Sequence, residues 1–315
     1  MTDKETKPFV SYYVNTFNRV HLLKNLLDSF EECNEYSGNY EWIITDYGST
    51  DDTRDFLTSY TKNNDFVTLL FGNEDGYVNQ LSSLGLKPAN NRKKAHAIFG
   101  KFRNAARGIA RGDIIVEIAD DHQFIRKGDW ISDSIDILKN RYDIVNKKDV
   151  SSIIYRSLSY QRIHKKNNES APFLDMPLGK EYFVALHKCY DDYHIQEREI
   201  SDLIGPYLEI DKMNKDCIER WKNGDDRLNH YEDYLARTKA LGLKKIFMKY
   251  PYVVDFPNNA HNNLNVEREG LIVPIIDNDS FFETFSDLNR PATSEEIISI
   301  DSGLFRSIYG NYFQK

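Results

Sequence analysis

A nine-residue stretch in the first half of the chain constrains the fold more than any other. The apolar run 114–119 (Ile-Ile-Val-Glu-Ile-Ala) ends abruptly at Asp120, Asp121 and His122. A short run of β-branched residues that stops at acidic groups is typical of a buried strand whose end opens into a polar crevice. Two carboxylates and an imidazole at such a place could hold a divalent cation and, through it, a phosphate. A plain acidic turn explains the same residues.

Strands and helices alternate around this stretch. The predicted strands cover residues 9–14, 42–45, 66–71 and 114–119. The predicted helices cover about 20–30, a segment with Ser49 as its N-cap, and about 93–110, with Phe102, Ala106 and Ile109 facing inward. An irregular loop rich in Gly, Asn, Ser and Pro is expected over about 72–91. This alternation predicts an α/β fold, with a mostly parallel sheet and helices on both faces.

Polar clusters follow three of the predicted strands. They occupy residues 15–19, 46–50 and 120–122. Ligands of parallel α/β sheets bind beyond the carboxyl ends of the strands. Three clusters at three strand ends therefore favour a ligand site over unrelated turns.

The second half of the chain is less regular. Its predicted helices cover about 129–138, about 213–221 and 230–241, and a helix-like stretch lies near 294–300. Its predicted strands cover 150–155, 246–248 and 252–254, and residues 157–180 are expected to form a long polar loop.

Charge and hydropathy narrow the range of partners. The formal net charge of −8 argues against general nucleic-acid binding, because a surface that follows phosphates is usually basic. The first residues are polar, without an apolar signal region, and no later segment approaches the length of a membrane span. Cys33, Cys189 and Cys217 are odd in number and far apart, which predicts free thiols in a reducing cytoplasm.

Five motifs in sequence resemble those of a family-2 glycosyltransferase of the GT-A fold. They are residues 10–19, Asp-x-Gly-Ser-Thr-Asp-Asp-Thr at 46–53, Arg103-Asn104 before Gly112-Asp113, Asp120-Asp121, and Glu232-Asp233. Each string alone is weak, but their order and spacing over residues 8–262 are specific. The resemblance implies a Rossmann-like GT-A domain over 1–262, with a nucleotide-sugar half over about 8–130 and an acceptor half over 131–262. Residues 263–315 would be a C-terminal extension packed on this domain.

The resemblance also assigns residues to the sugar donor. They are Thr16, Phe17, Asn18, Arg19, Asp46, Tyr47, Arg103 and Asp120. Phe17 would lie against the base, Asp46 would fix the base or its surroundings, and Asp120 would approach the ribose or the sugar. Arg103 would lie near the diphosphate, although a helix-surface salt bridge is its other possible role. Tyr47 stands where the family often has an Asp or Asn that binds the pyrimidine, so the base stays open, with uridine favoured.

A cation and a general base complete the implied site. Asp121 would ligate the metal that bridges the diphosphate, and His122 and His261 would be further ligands. Mn²⁺ or Mg²⁺ would serve, and an imidazole ligand favours Mn²⁺. Asp233 would be the base, and Glu232 would orient the acceptor or its loop. Adjacent helical side chains point about 100° apart, so only one can face the acceptor. Both could instead be favourable charges in a helix's first turn.

The implied reaction is transfer of a sugar, with inversion, from a nucleotide-sugar donor, with a UDP-sugar favoured. The acceptor would be a hydroxyl of a glycan or of another molecule, and a lipid-linked glycan would be met at the membrane surface. A retaining transferase is an alternative that needs no base at position 233. A nucleotidyltransferase would carry a glycine-rich loop, which residues 15–19 lack. The remaining alternative is a catalytically silent protein that binds nucleotides or carbohydrates.

Overall fold

A computed structural model describes residues 7–72, 91–144, 150–154, 173–174, 182–185, 194–209, 219, 230–248 and 252–255. The chain divides into two compact units, each made of several segments. The first unit contains residues 1–20, 38–118 and 196–243, and the second contains 21–37, 119–195 and 244–315. The division into a nucleotide-sugar half, an acceptor half and a C-terminal extension stays a prediction.

The strands and helices of the described residues follow in chain order. The strands are β1 (Val10–Thr16), β2 (Tyr40–Asp46), β3 (Val67–Phe71), β4 (Ile114–Ala119), β5 (His122–Phe124), β6 (Val150–Ile154), β7 (Phe173–Leu174), β8 (Tyr182–Ala185), β9 (Ile195–Glu197), β10 (Lys244–Met248) and β11 (Val253–Asp255). The helices are α1 (Val20–Cys33), α2 (Thr53–Asn63), α3 (Asn91–Ile109), α4 (Trp130–Ile144), α5 (Arg198–Ile204) and α6 (His230–Ala240).

The first unit is built on a parallel sheet in which β3, β2, β1 and β4 lie side by side in that order. β1 pairs with β2 and β2 with β3, both in parallel. The amide of Ile114 donates to the carbonyl of Phe9 at 3.2 Å, so β4 begins beside the start of β1. The predicted α/β fold with a mostly parallel sheet is confirmed.

Nearly continuous burial explains why β1 and β2 form the middle of this sheet. Strands covered on both faces read as unbroken apolar runs rather than as alternating ones. Tyr12 stacks on Trp42 with 4.8 Å between ring centroids. Tyr13 and Ile43 pack with Ala106 of α3. The inward direction predicted for Ala106 is therefore confirmed.

The second unit has its own apolar core around α1. The core includes Leu23, Leu26, Leu27 and Phe30 of α1, all of which are buried. Phe30 meets Phe124 of β5 edge-on at 5.4 Å, and the hydroxyl of Ser29 accepts the Phe124 amide at 3.0 Å. β5 pairs antiparallel with β11, and β10 pairs parallel with β6 and antiparallel with β8. Strand pairing in this unit is thus mixed.

Two local expectations are wrong. α2 begins at Thr53 with Asp52 as its N-cap residue, not with Ser49, because the Ser49 hydroxyl is already hydrogen-bonded within the preceding loop. Ile109 is the last residue of α3 and is 42% exposed, whereas it was expected to face inward. The loop expected over 72–91 and the helices near 213–221 and 294–300 lie almost wholly outside the described residues.

Across the part of the chain that the structure describes, no helix combines the length and the apolar character needed to cross a bilayer. Cys33 is a buried free thiol, as expected. Cys189 and Cys217 lie outside the described residues.

A buried carboxylate ties together the edge of the first sheet where β1 and β2 begin. The hydroxyl of Ser11 donates to Glu41 at 2.7 Å, and Arg111 donates to the same carboxylate through its amide at 2.7 Å and its Nε at 2.8 Å. Burial by itself would raise the pKa of Glu41. The hydrogen bonds from Arg111 and Ser11 outweigh that effect, and the pKa is lowered. The network therefore stabilises the ionised form of Glu41.

We expect Glu41→Gln to reduce the free energy of unfolding by about 1–3 kcal/mol at neutral pH, since hydrogen bonds to a charged group are lost. Because the pKa of Glu41 is lowered in the folded state, its contribution is full above the unfolded-state pKa and disappears as the pH falls through the folded-state pKa. Urea unfolding at neutral pH and at an acidic pH below the ordinary pKa of a glutamate should show a smaller difference from the wild type at the acidic pH. An equal difference at both pH values would contradict this account.

Candidate active site

The loops that follow β1 and β2 lie at the same edge of the first sheet. Thr16 and Asp46, the last residues of these strands, are partners in the parallel register. The amide of Tyr47 donates to the carbonyl of Thr16 at 3.1 Å. The amide of Gly72, directly after β3, donates to the carbonyl of Asp46 at 2.6 Å. Three consecutive strands therefore end together, as the sequence predicted for the first two polar clusters.

Asp46 shapes the loop that follows β2. Its side chain is fully buried and accepts the amide of Ser49 at 3.0 Å, the hydroxyl of Ser49, and the amide of Gly48 at 3.3 Å. Arg54 of α2 adds an ion pair, with Nε 2.7 Å from Oδ2. Gly48 has φ of 103°, a conformation that side chains disfavour. Asp46 thus fixes the loop that follows β2, and both of its carboxylate oxygens are bound by groups of the protein.

Asn18 joins the β1 loop to the β2 loop. Its amide donates to the hydroxyl of Ser49 at 2.8 Å, and its side-chain oxygen accepts the amides of Thr50 at 2.7 Å and Asp51 at 3.4 Å. Its φ is 53°, a left-handed conformation that Asn tolerates better than most residues. The exposed Asn18 side chain is thereby committed to the link between the loops.

The other residues of the β1 loop differ in exposure. Thr16 is buried, whereas Phe17 and Arg19 are half-buried. Phe17 therefore keeps part of its ring surface exposed at the edge where the three strands end. Its predicted contact with a base stays a prediction.

Tyr47, which the resemblance assigns to the sugar donor, has a buried side chain. The ring is buried and meets Phe102 of α3 edge-on, with 4.8 Å between centroids. The position where the family often has a short polar residue is filled here by an aromatic side chain that packs in the core. The assignment of Tyr47 to the donor-binding residues stays a prediction.

Arg103, which the resemblance assigns to the diphosphate, has a buried side chain. It is 1% exposed, its Nη1 lies 3.2 Å from Oε2 of Glu117, and its guanidinium lies over the ring of Tyr207. The hydroxyl of Tyr207 donates to Glu117 at 2.8 Å. Burial raises the pKa of Tyr207 well above its ordinary value, and the Glu117 carboxylate raises it further, so this hydroxyl keeps its proton. Arg103 is a buried partner of Glu117 rather than a surface cation, and its predicted contact with the diphosphate stays a prediction.

The acidic turn begins directly after β4. Asp120 and Asp121 form the turn, and His122 is the first residue of β5. Asp120 and His122 are buried and Asp121 is half-buried, so Asp121 is the most accessible of the three. Nδ1 of His122 lies 3.5 Å from the amide of Ala119, which donates to it. A cation at His122 would compete with this arrangement.

No metal-binding cluster is evident in the described ranges, where no group of three or more His, Cys, Asp or Glu side chains could hold an ion. His261 lies outside those ranges. The assignments of Asp121, His122 and His261 as metal ligands therefore stay predictions.

Asp233 lies in the first turn of α6 in the first unit. Its side chain is 40% exposed, and its Oδ2 accepts Nε of Arg237 at 3.1 Å and Nη2 at 2.8 Å. The helix predicted to begin at His230 is confirmed. The side chain of Glu232 lies outside those that the structure describes. Asp233 is thus accessible, and an arginine holds it in one orientation.

The sequence analysis missed the residues that surround Asp233. Arg237 is four positions further along α6, a spacing at which helical side chains meet, so this partner could have been found. Tyr234 stacks on Tyr207 at 4.5 Å, and Asn104 binds the backbone of Tyr207. Such contacts join distant parts of the chain, and no local pattern indicates them.

We expect Asn18→Ala to destabilise the two loops more than Asn18→Gly. Gly loses the side-chain acceptor but keeps the positive φ, whereas Ala also disfavours that conformation, at a cost of about 1–2 kcal/mol. Asn18→Asp is the matched control, because it keeps an acceptor and tolerates the same φ. Hydrogen exchange at the Thr50 amide should accelerate in the order Asp, Gly, Ala. Equal exchange in all three variants would contradict the assigned link.

Comparison with solved structures gives matches to glycosyltransferases at low identity. TarS 1-349 of S. aureus is 13% identical, with a TM-score of 0.45, and the match covers 97% of this chain and 75% of that one. The mannosyltransferase PcManGT of Pyrobaculum calidifontis, in complex with GDP-Man and Mn²⁺, is 17% identical, with a TM-score of 0.37 and coverages of 65% and 48%. GalNAc-T7 with UDP, GalNAc and Mn²⁺ is 12% identical, with a TM-score of 0.45 and coverages of 79% and 43%.

No curated protein matches the sequence. The family model described as "Glycosyl transferase family 2" matches residues 11–84. This segment contains β1 to β3 and both loops that Asn18 joins, whereas the acidic turn and Asp233 lie beyond it. The matched motifs stand at the carboxyl ends of parallel strands, where the fold places a ligand. Residues 11–84 of this chain are therefore similar to glycosyltransferase family 2.

Proposed function

We propose that the protein transfers a sugar from a nucleotide-sugar donor, with a UDP-sugar favoured, to a hydroxyl of a glycan or lipid-linked glycan, with inversion at the anomeric carbon. The observation that carries this proposal is the pair of loops after β1 and β2. Both loops fall within the family match, both begin directly after the Thr16–Asp46 register pair, and Asn18 joins them. The two linked loops lie at the carboxyl ends of parallel strands, which is where α/β sheets bind nucleotides.

The donor would be held by the β1 loop. Thr16, Phe17 and Arg19 are assigned to the nucleotide, with the half-buried Phe17 ring against the base. An aromatic face stacks on any base, so this contact sets affinity more than base identity. Asp46 and Asn18 act indirectly, because their side chains hold the loops together. Asp120 stays assigned to the ribose or the sugar.

The residues of the acidic turn fit a hard cation in part. Asp121 offers carboxylate oxygens in a turn and is more accessible than Asp120 or His122. Mg²⁺ and Mn²⁺ sites of nucleotide enzymes commonly use one or two carboxylates, with the phosphates of the substrate supplying further oxygens. When bound, such a cation would neutralise the charge that develops on the leaving diphosphate. His122 would have to release the Ala119 amide to become a ligand, and His261 keeps its predicted role.

Asp233 is proposed as the general base. The acceptor oxygen attacks the anomeric carbon as the bond from that carbon to the diphosphate oxygen breaks, and the acceptor proton passes to the carboxylate. At 40% exposure, the carboxylate is open to an incoming hydroxyl. The ion pair with Arg237 limits its rotation, which favours one attack geometry. Glu232 is proposed to orient the acceptor.

We expect the purified protein with Mn²⁺ to release nucleotide slowly from one member of a panel of UDP- and GDP-sugars, and a chelator to abolish the release. Asp121→Asn should lower this rate by about 100-fold, because the carboxylate ligand is lost. Asp136→Asn, on an exposed position of α4, is the control and should keep the wild-type rate. Full activity of Asp121→Asn would remove the metal assignment. Thermal stabilisation by a donor without nucleotide release would indicate a silent binding protein.

Asp233→Asn should lower turnover by about 100-fold or more, because an amide cannot take the acceptor proton. The anomeric configuration of the sugar product, read by nuclear magnetic resonance, should be inverted relative to the donor. Substantial turnover by Asp233→Asn together with retained configuration would favour a retaining transferase over the proposed mechanism.

A further inference from the structure

We propose that Arg237 is a positioning residue for Asp233. The turn at the end of α5, residues 204–206, holds Arg237 through backbone carbonyls, and we call this turn the socket. This inference rests on the proposed role of Asp233 as the base. It adds a residue and a backbone segment that neither the family motifs nor the family match includes. All of the groups involved belong to the first unit.

The guanidinium of Arg237 is engaged on both sides. Toward α6, its Nε and Nη2 approach one oxygen of Asp233, Oδ2, at 3.1 and 2.8 Å. Toward α5, its Nη1 donates to the carbonyl of Ile204, and its Nη2 donates to the carbonyl of Pro206 at 2.5 Å. Since both contacts with Asp233 fall on Oδ2, we assign proton transfer to Oδ1, which the guanidinium does not approach.

The socket depends on the conformation of Gly205. Gly205 follows the last residue of α5 and has φ of 86°, and its amide donates to the carbonyl of Ser201 at 3.0 Å. The turn directs the carbonyls of Ile204 and Pro206 to Arg237. A Cβ atom at position 205 would lie 3.0 Å from Nη1 of Arg237. A side chain at this position would therefore be strained and would press on the arginine.

A second arginine braces the same turn from α3. Arg107 donates through Nη1 to the carbonyl of Gly205 at 3.0 Å and through Nη2 to the carbonyl of Ser201 at 2.6 Å. Its guanidinium also lies over the rings of Tyr207 and Tyr234. The turn that holds Arg237 is thus itself fixed to the helix that packs on the sheet.

These contacts distinguish Arg237 from an ordinary surface partner. An Asp–Arg pair four positions apart on an exposed helix leaves most of the guanidinium in water and restrains neither side chain strongly. Arg237 is 31% exposed and lies over the ring of Tyr234 at 5.6 Å. Tyr234 is fixed in turn, since its hydroxyl donates to Gln196 at 2.8 Å and its ring stacks on Tyr207. Because the guanidinium of Arg237 is itself fixed by several contacts, it can restrict the orientation of the Asp233 carboxylate.

The test compares variants in the nucleotide-release assay, with the donor that the panel identifies. Arg237→Gln should lower kcat by about tenfold or more and leave the donor KM within about twofold, because a misplaced base slows the reaction but does not weaken donor binding. Arg237→Lys should lose less, since an ammonium can still meet Oδ2. Gly205→Ala should reproduce the loss of kcat without altering any charge.

Arg198→Gln is the matched control for lost arginine contacts. Arg198 binds the carbonyls of Gly112 at 2.8 Å and Ala110 at 2.6 Å, so its loss should lower the melting temperature and leave kcat unchanged. Wild-type kcat in both Arg237→Gln and Gly205→Ala, with Asp233→Asn inactive, would overturn the role of Arg237 and leave the base in place. Full turnover by Asp233→Asn would overturn the base, and this inference with it.

Discussion

The edge of the first sheet where the loops after β1 and β2 meet depends on the buried carboxylate of Asp46. A carboxylate removed from water costs several kcal/mol unless hydrogen bonds or a cation compensate it. Here the compensation comes from the backbone and hydroxyl of Ser49, the amide of Gly48 and the guanidinium of Arg54. The loop after β2 must therefore fold tightly around the side chain of Asp46, the last residue of that strand. Because the same Ser49 hydroxyl accepts the Asn18 amide, the β1 loop is fixed as well.

Much of the fold could be predicted because its strands are buried on both faces. Runs rich in apolar residues predicted β2 and β4 to within a few residues, and their alternation with helices predicted the parallel sheet. The end of β1 was harder, since Asn15 and Thr16 are polar yet continue the strand to the register partner of Asp46. The N-cap of α2 was missed for a related reason. A serine that suits a cap also suits a loop, and local sequence does not decide between the two.

The sequence could indicate which residues to consider for the candidate site, but not which of their side chains are buried. Arg103 and Tyr47 stand in family motifs, yet their side chains point into the protein, where Glu117 and Phe102 contact them. One signal was present for Arg103. Glu117 interrupts an apolar run that was predicted to be a buried strand, and a buried carboxylate requires a cationic or hydrogen-bonding partner. The partner's identity depends on how α3 packs on the sheet, which sequence pattern alone does not give.

The pair formed by Arg103 and Glu117 bears on how relatives of this chain are recognised. Loss of either partner leaves an unmatched buried charge, which is costly, whereas replacement of both by apolar side chains of similar volume is often tolerated. The two positions are therefore free to change together but not separately. Such a joint exchange would remove the Arg-Asn string and leave the contacts between the loops after β1 and β2 intact, because neither Arg103 nor Glu117 takes part in them. In this chain the string therefore reflects how α3 is anchored to its sheet.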